Sequence, residues 1–216
     1  MIDRLLGIDV SALSDADKTL PIVDPAVRAM IPDVRMAGPA FTVVAEDDHL
    51  PVMAAIAQAA PGDVLVIATN GGSRAVFGEL FASEAKRRSL AGLVVDGLCR
   101  DLRGLRRIGL PAFARGTTPR SGTVVSRAAH GATIACGGVE VSPGDIVFGD
   151  DDGLLIAPPE RIAAALDTAE LIARSERAIL AAQERGAPLA SLTNFDEHVA
   201  ALDRGEPSAL AFRVDA

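Results

Sequence analysis

Apolar runs broken by Gly, Pro and short polar stretches divide the chain, and their lengths predict its elements. The longest run, Leu90-Ala-Gly-Leu-Val-Val-Asp-Gly-Leu-Cys99, lacks polar alternation, the pattern of a strand buried on both faces. Residues 39–45 and 64–68 read as further strands, with an Ala-rich helix at 50–60 between them that stops at Pro61-Gly62. After a turn at 69–73, the helical spacing of Phe77, Leu80, Phe81 and Ala85 predicts a helix over 75–89. A short Arg-rich helix at 102–108 and a strand at 111–115 continue an alternation of strand and helix, the signature of an α/β unit with parallel strands.

From residue 123 the pattern changes to short β segments at 133–135, 139–141, 145–148 and 154–157, with turns at Pro143-Gly144 and Asp152-Gly153. A long helix opens at Pro158-Pro159 and ends at Gly186; its stripe of Ile162, Leu166, Ala169, Ile172 and Leu180 must pack on something. Another amphipathic turn or two follows at 195–202. No linker, repeat or low-complexity tract interrupts the pattern, so 216 residues with 49% hydrophobic content are expected to form one domain. Its core spans about 20–160 and a C-terminal helical extension covers 159–216, with packed sheets flanked by helices.

Composition narrows the function. The formal net charge of −8 argues against a nucleic-acid backbone as partner, since that affinity rests on clustered Lys and Arg. The absence of Trp and Tyr, with only seven Phe, removes a base-stacking platform. No apolar run approaches the ~20 residues that span a bilayer, and the start Met-Ile-Asp-Arg-Leu-Leu lacks the features of a secretory signal, so no membrane partner and a cytoplasmic location are expected. Cys99 and Cys136 are too few for a disulfide framework and read as buried, reduced thiols.

The candidate chemistry lies at the exit of the longest apolar run, where Arg100 and Asp101 adjoin, and at Glu79, just after Gly78 and separated from Arg100 by twenty intervening residues. Open α/β sheets collect ligands at such strand exits. Each residue has a plainer reading beside the functional one. Asp101 caps the helix beginning at Leu102 or ligates a metal, Arg100 pairs with a surface acid or faces a ligand, and Glu79 serves the helix dipole or the chemistry. The run Asp150-Asp151-Asp152 reads as a solvated turn, and His49, His130 and His198 as isolated surface or packing residues. Arg103, Arg106 and Arg107 read as a solvated or subunit-contacting helix face, with Arg103 within reach of a distal carboxylate.

Several motifs in order carry a resemblance. Gly78-Glu-Leu, Val95-Asp-Gly-Leu-Cys-Arg-Asp101, Pro111-Ala-Phe-Ala-Arg115, Cys136-Gly-Gly-Val-Glu-Val-Ser-Pro-Gly-Asp145 and Gly149-Asp-Asp-Asp-Gly153 resemble the RraA-like family over residues 39–159. That family includes 4-hydroxy-4-methyl-2-oxoglutarate aldolases and the regulator of ribonuclease activity A. The resemblance implies a single-domain α/β/β/α sandwich that assembles as a homotrimer or homohexamer. It also implies a class II pyruvate aldolase using Mg²⁺ or Mn²⁺, with oxaloacetate decarboxylase side activity. Carried onto this chain, Asp101 ligates the metal through a water-rich shell, Arg100 holds the keto oxygen, and Glu79 orders metal-bound water. The backbone of Gly78, Glu79 and Leu80 holds the substrate carboxylate. Many relatives carry an acid where this chain has Gly104, so the surroundings of the pair differ there.

Elementary chemistry runs the same way. Cleaving a C–C bond beside a 2-keto group puts negative charge on the keto oxygen, so a cation must be aimed at that oxygen. A Schiff-base route needs an activated lysine, and the only lysines are Lys18, in a polar stretch, and Lys86, in a basic run at a helix end. The helix start after Gly71-Gly72 is expected to offer free amides to a substrate carboxylate. The alternative is a non-catalytic regulator that binds a ribonuclease or other protein. A methyltransferase fits less well, because no G-x-G-x-x-G turn follows a strand.

Overall fold

The computed structural model describes residues 1–127 and 130–213. Two short helices, α1 (Ile2–Leu5) and α2 (Val10–Ala16), precede β1 (Arg28–Ala29) and β2 (Arg35–Val44). Then come α3 (Leu50–Gln58), β3 (Val64–Ala68), β4 (Ala75–Phe77), α4 (Glu79–Arg87), β5 (Gly92–Cys99), α5 (Leu102–Ile108) and β6 (Ala112–Thr117). The second half holds β7 (Ile134–Cys136), β8 (Val139–Val141), β9 (Ile146–Asp150), β10 (Gly153–Ala157), α6 (Pro159–Glu184) and α7 (Phe195–Asp203).

One mixed sheet carries most of the strands, in the order β1-β6-β5-β3-β2-β9-β10, with β4 paired to β5. β2, β3, β5 and β6 run parallel, and β9, β10 and β1 extend the sheet antiparallel on either side. The fully buried β3, Val-Leu-Val-Ile-Ala, sits at the middle, as its unbroken apolar run requires. The sheet curls. Pro21 and Val23 bond to β10 through Ile156 N–H to Pro21 O (3.3 Å) and Val23 N–H to Leu154 O (3.0 Å), while Met30 N–H donates to Ala112 O (2.8 Å) beside β6. Residues 21–30 therefore bridge the two outer strands. Inside the curl β6 faces β9 closely: a Cβ on Gly149 would lie 3.2 Å from the Phe113 ring and 2.5 Å from Leu154. The layered α/β arrangement comes from this curl, with β7–β8 as a separate hairpin.

Two apolar clusters divide the interior. One fills the curl and the space beneath α3, α4 and α5; in the other Ile162, Leu166, Ala169 and Ala173 of α6 and Leu13 of α2 cover Phe148 and Leu155. The α6 stripe thus finds its partner on the β9–β10 face from Ile162 to Ala173, whereas Leu180, expected to belong to it, is exposed. Both cysteines are buried, and burial pushes each thiol up to about 12, which makes them inert side chains. No helix among the described residues is long and apolar enough to cross a membrane.

Two sequence expectations need correction. Residues 75–77 are a buried strand, β4, and the following helix starts only at Glu79. Ala75, Val76 and Phe77 have no exposed face, and they pair with the far half of β5, so burial on all sides overrides the helical spacing. Asp150 is the last residue of β9 and is buried: its Oδ2 accepts from Val10 N–H at 2.9 Å, tying α2 to the sheet. Only Asp151 and Asp152 are exposed turn residues.

Candidate active site

The parallel strands end together, and two of their exits form the site. β5 runs out into Arg100 and Asp101, and β6 into Thr117, Thr118 and Pro119; with Leu102 they line a depression of about 310 Å³. Gly78 ends β4 and occupies the N-cap of α4, which brings Glu79 and Leu80 to the same edge. Arg100 N–H donates to Phe77 O at 3.1 Å, fixing β5 against β4 at this point.

Asp101 occupies the N-cap position of α5 yet makes no side-chain cap bond. Its backbone is left-handed (φ 61°, ψ 39°), an uncommon conformation that Asp tolerates better than most residues. The carboxylate turns instead toward α4, where Oδ2 accepts from Glu79 N–H at 3.3 Å. Capping, one of the two readings the sequence left open, is therefore not the role this side chain takes. Arg100 Nε lies 3.3 Å from the same Oδ2, off the line of its N–H bond, so this buried nitrogen has no hydrogen-bond acceptor among the described residues. An unpaired buried donor is costly, and an anionic ligand oxygen would satisfy it.

The backbone of Gly78 passes so close that a Cβ there would sit 2.4 Å from Asp101 Oδ2 and 2.9 Å from Arg100 Cγ. Its extended φ of −163° suits any residue, so a substitution acts by crowding alone. Gly78→Ala is expected to lower activity about 100-fold while shifting Tm by only a few degrees if the displaced Arg100 and Asp101 carry the chemistry. A large Tm loss would show that the glycine serves folding instead.

Glu79 stands in the first turn of α4, and its carboxylate pairs with Arg107 of α5. It rests over Gly104, where a Cβ would lie 2.2 Å from Glu79 Oε2. The missing side chain at 104 is thus the space Glu79 occupies. The amides without an intrahelical acceptor at this site belong to the first turn of α4, where Asp101 already takes that of Glu79, and not to the region after Gly71-Gly72 as expected from the sequence. The Asp101 carboxylate, 40% exposed, suits a hard cation that accepts one or two protein carboxylates and keeps most of its waters, as Mg²⁺ does. Among the described residues no group of three or more His, Cys, Asp or Glu side chains forms a metal cage.

A feature the sequence reading missed forms one wall. Residues 117–126 run across the β4 edge: Thr118 N–H donates to Cys99 O (3.0 Å), Ala75 N–H to Arg120 O (2.9 Å) and Gly122 N–H to Ala75 O (3.1 Å). Asp48, buried before α3, fastens the far end. Its Oδ2 accepts from the Thr123 hydroxyl (2.6 Å), Val125 N–H (2.8 Å) and Ser126 N–H (3.1 Å), and its Oδ1 from Leu50 N–H (2.8 Å). Burial alone would raise the Asp48 pKa, but these donors outweigh it and hold the carboxyl down at about 2. The signal in the sequence was Glu46-Asp-Asp-His49 before a helix, which is common enough to pass as a cap.

The sign of the Asp48 effect follows. A depressed carboxylate stabilises the fold above its unfolded value of about 4 and loses that contribution as pH falls toward about 2. Asp48→Asn is expected to lower Tm by about 5–10 °C at neutral pH. The gap from the parent should close between about pH 4 and pH 2 in thermal melts. A gap unchanged by pH would mean that the charge does not matter.

Comparisons with known proteins agree on the fold. A family model described as RraA-like, Aldolase/RraA, matches residues 10–156. A Halalkalibacterium halodurans protein, named provisionally as a 4-hydroxy-4-methyl-2-oxoglutarate aldolase, is 37% identical over 159 residues, 73% of this chain and 76% of its own length. A crystal structure of an uncharacterised Pseudomonas syringae pv. tomato protein superposes with a TM-score of 0.77 at 26% identity, covering 88% of this chain and 94% of that one. The RNA-processing inhibitor RraA from a Thermus species gives a TM-score of 0.64 at 28% identity over 68% of this chain and 91% of its own.

Proposed function

Because the chain belongs to the RraA-like (Aldolase/RraA) family, we propose that it is a divalent-metal-dependent pyruvate aldolase acting on 4-hydroxy-2-oxo acids of the 4-hydroxy-4-methyl-2-oxoglutarate type. The products are pyruvate and a second 2-oxo acid, and oxaloacetate decarboxylation accompanies the main reaction. The observation that carries this reading is the buried Arg100 Nε without an acceptor beside the outward-facing carboxylate of Asp101 at the β5 exit. The named activity of the Halalkalibacterium relative supports it.

In this reading the substrate carboxylate meets the backbone at the start of α4, Gly78 to Leu80, where the helix dipole favours an anion. The keto oxygen lies against Arg100. The C4 hydroxyl loses its proton, with Glu79 as the acceptor through solvent; the C3–C4 bond breaks, C4 becomes a carbonyl, and the electron pair passes to C3 and the keto oxygen. Arg100 holds that developing negative charge, and protonation at C3 gives pyruvate. With oxaloacetate the departing group is CO₂, and the same enolate forms. Mg²⁺ or Mn²⁺, held by Asp101, would supply Lewis-acid stabilisation of the keto oxygen.

Large apolar residues are exposed beside this site, among them Leu80 (79% exposed) and Met53 (52%), and the groove they form with Phe81 supports assembly as a homo-oligomer, trimer or hexamer. The test of the activity is pyruvate release from oxaloacetate with Mg²⁺ and with EDTA. Release that stops with EDTA and returns on adding Mg²⁺ is expected; background rates in both would refute the proposal. The likeness to the Thermus RNA-processing inhibitor favours a second reading, a non-catalytic regulator of a ribonuclease. Capture of a ribonuclease by a purified chain with no metal-dependent activity would establish that one.

A further inference from the structure

The wall formed by Thr117, Thr118 and Pro119 is part of a segment that is neither helix nor strand beyond Thr117, and besides Asp48 and the backbone bonds to β4 and β5 it is held by a histidine the proposed chemistry does not use. His49, at the N-cap of α3, is buried with 7% exposure. Its Nε2 accepts from Gly122 N–H at 2.9 Å and lies 3.2 Å from the Ser121 hydroxyl. Accepting from an amide requires that nitrogen to be bare, so the ring is neutral with its proton on Nδ1. Burial is the largest influence and, with the Arg100 charge, holds the imidazole below its ordinary pKa against the Ala75 carbonyl and the Asp48 charge, which raise it.

The approach is close enough to dictate residue 122. A Cβ there would fall 2.6 Å from His49 Cδ2 and 2.7 Å from Asp47 O. Behind the imidazole, the ring of Phe81 in α4 packs at 5.4 Å between centroids with a 58° tilt. The imidazole thus stands between α4, whose first turn belongs to the site, and the loop that walls it. The backbone continues the link: His49 N–H donates to Thr123 O (2.8 Å) and Thr123 N–H to Asp47 O (2.8 Å). Arg74 Nη1 donates to Ser121 O at 3.0 Å on the other side. Removing the imidazole takes away the nearer of the two acceptors of the Gly122 amide and leaves it with Ala75 O alone (3.1 Å), at the point where the loop turns toward Pro119.

Resting on the aldolase reading, we infer that His49 is a positioning residue, which acts as a neutral acceptor to fix residues 117–123 and so the Thr117–Pro119 wall against Arg100 and Asp101. The wall meets the substrate before and during reaction, so loosening it weakens ground state and transition state together. The loss therefore falls on KM.

The experiment measures pyruvate release from oxaloacetate for the parent chain, His49→Leu, His49→Gln and Gly122→Ala, with amide hydrogen exchange across 117–126. His49→Leu is expected to raise KM about tenfold with kcat within about threefold of the parent. His49→Gln places an amide oxygen where Nε2 accepts and should restore KM to within about threefold. Gly122→Ala should reproduce the His49→Leu result by crowding the same contact. Exchange at Gly122 and Thr123 should quicken in His49→Leu and Gly122→Ala but not in His49→Gln. An unchanged KM in His49→Leu, a fall in kcat at constant KM, or failure of His49→Gln to restore KM would each overturn the inference. Should the parent release no pyruvate, the aldolase reading has failed. The exchange arm then decides alone, with equal protection in all four proteins overturning the role of His49.

Discussion

Asp101→Asn is expected to lower kcat/KM for oxaloacetate by about 10³-fold or more, because in the proposed mechanism it removes the carboxylate that would hold the cation. Asn is the informative replacement. It keeps the size of the side chain and tolerates the left-handed backbone at φ 61°, whereas Ala would add about 1 kcal/mol of strain to the result. Asp101 is 40% exposed, so losing its charge should leave Tm within a few degrees of the parent. A second reading comes from stability: Mg²⁺ that binds only the folded chain raises Tm with concentration, and Asp101→Asn should abolish that rise. A variant with parental rates and a parental Mg²⁺ response would remove Asp101 from the mechanism. Loss of activity with the Mg²⁺ response intact would place the ion elsewhere.

Arg100→Ala is expected to lower kcat by about 10²–10³-fold through loss of the donors that the proposed mechanism aims at the developing oxyanion. Oxalate resembles the enolate more than the substrate does, so its inhibition constant should rise by a comparable factor while KM for oxaloacetate moves less. Arg100→Lys keeps the charge but not the planar fork, and only partial recovery is expected. Equal changes in KM and in the oxalate constant would make Arg100 a ground-state anchor. Arg100 also donates its backbone N–H to Phe77 O, a bond that either substitution leaves in place, so the comparison reports on the guanidinium.

Much of this site was legible along the chain. The β5 run ends one residue before Arg100, and α5 begins at Leu102, where the sequence reading put it. A strand exit that carries an adjacent cation and anion needs only the rule that such exits gather ligands. Where reading failed, the cause was competition between local and long-range packing. Ala75-Val-Phe77 has apolar residues that suit a helix face, and only the vacancy beside β5 makes it a strand. Asp150 and Asp48 look like turn and cap residues; both are buried because distant backbone amides, of Val10 and of Val125 and Ser126, need an acceptor.

Sequence by itself determined most of the elements after residue 39, the parallel α/β alternation and the identity of the charged pair, because each follows from periodicity or from neighbours within a few residues. Tertiary structure decided where the second half of the chain goes. Its β9 and β10 join β2 in the same sheet, residues 21–30 close the curl, and α6 covers the outer face. It also decided that Asp101 turns from its own helix to α4, and that the absence of a side chain at Gly104 gives Glu79 its place. Contacts of that kind depend on atoms brought together from distant positions by burial of the apolar strands, and no pattern confined to neighbouring residues encodes them.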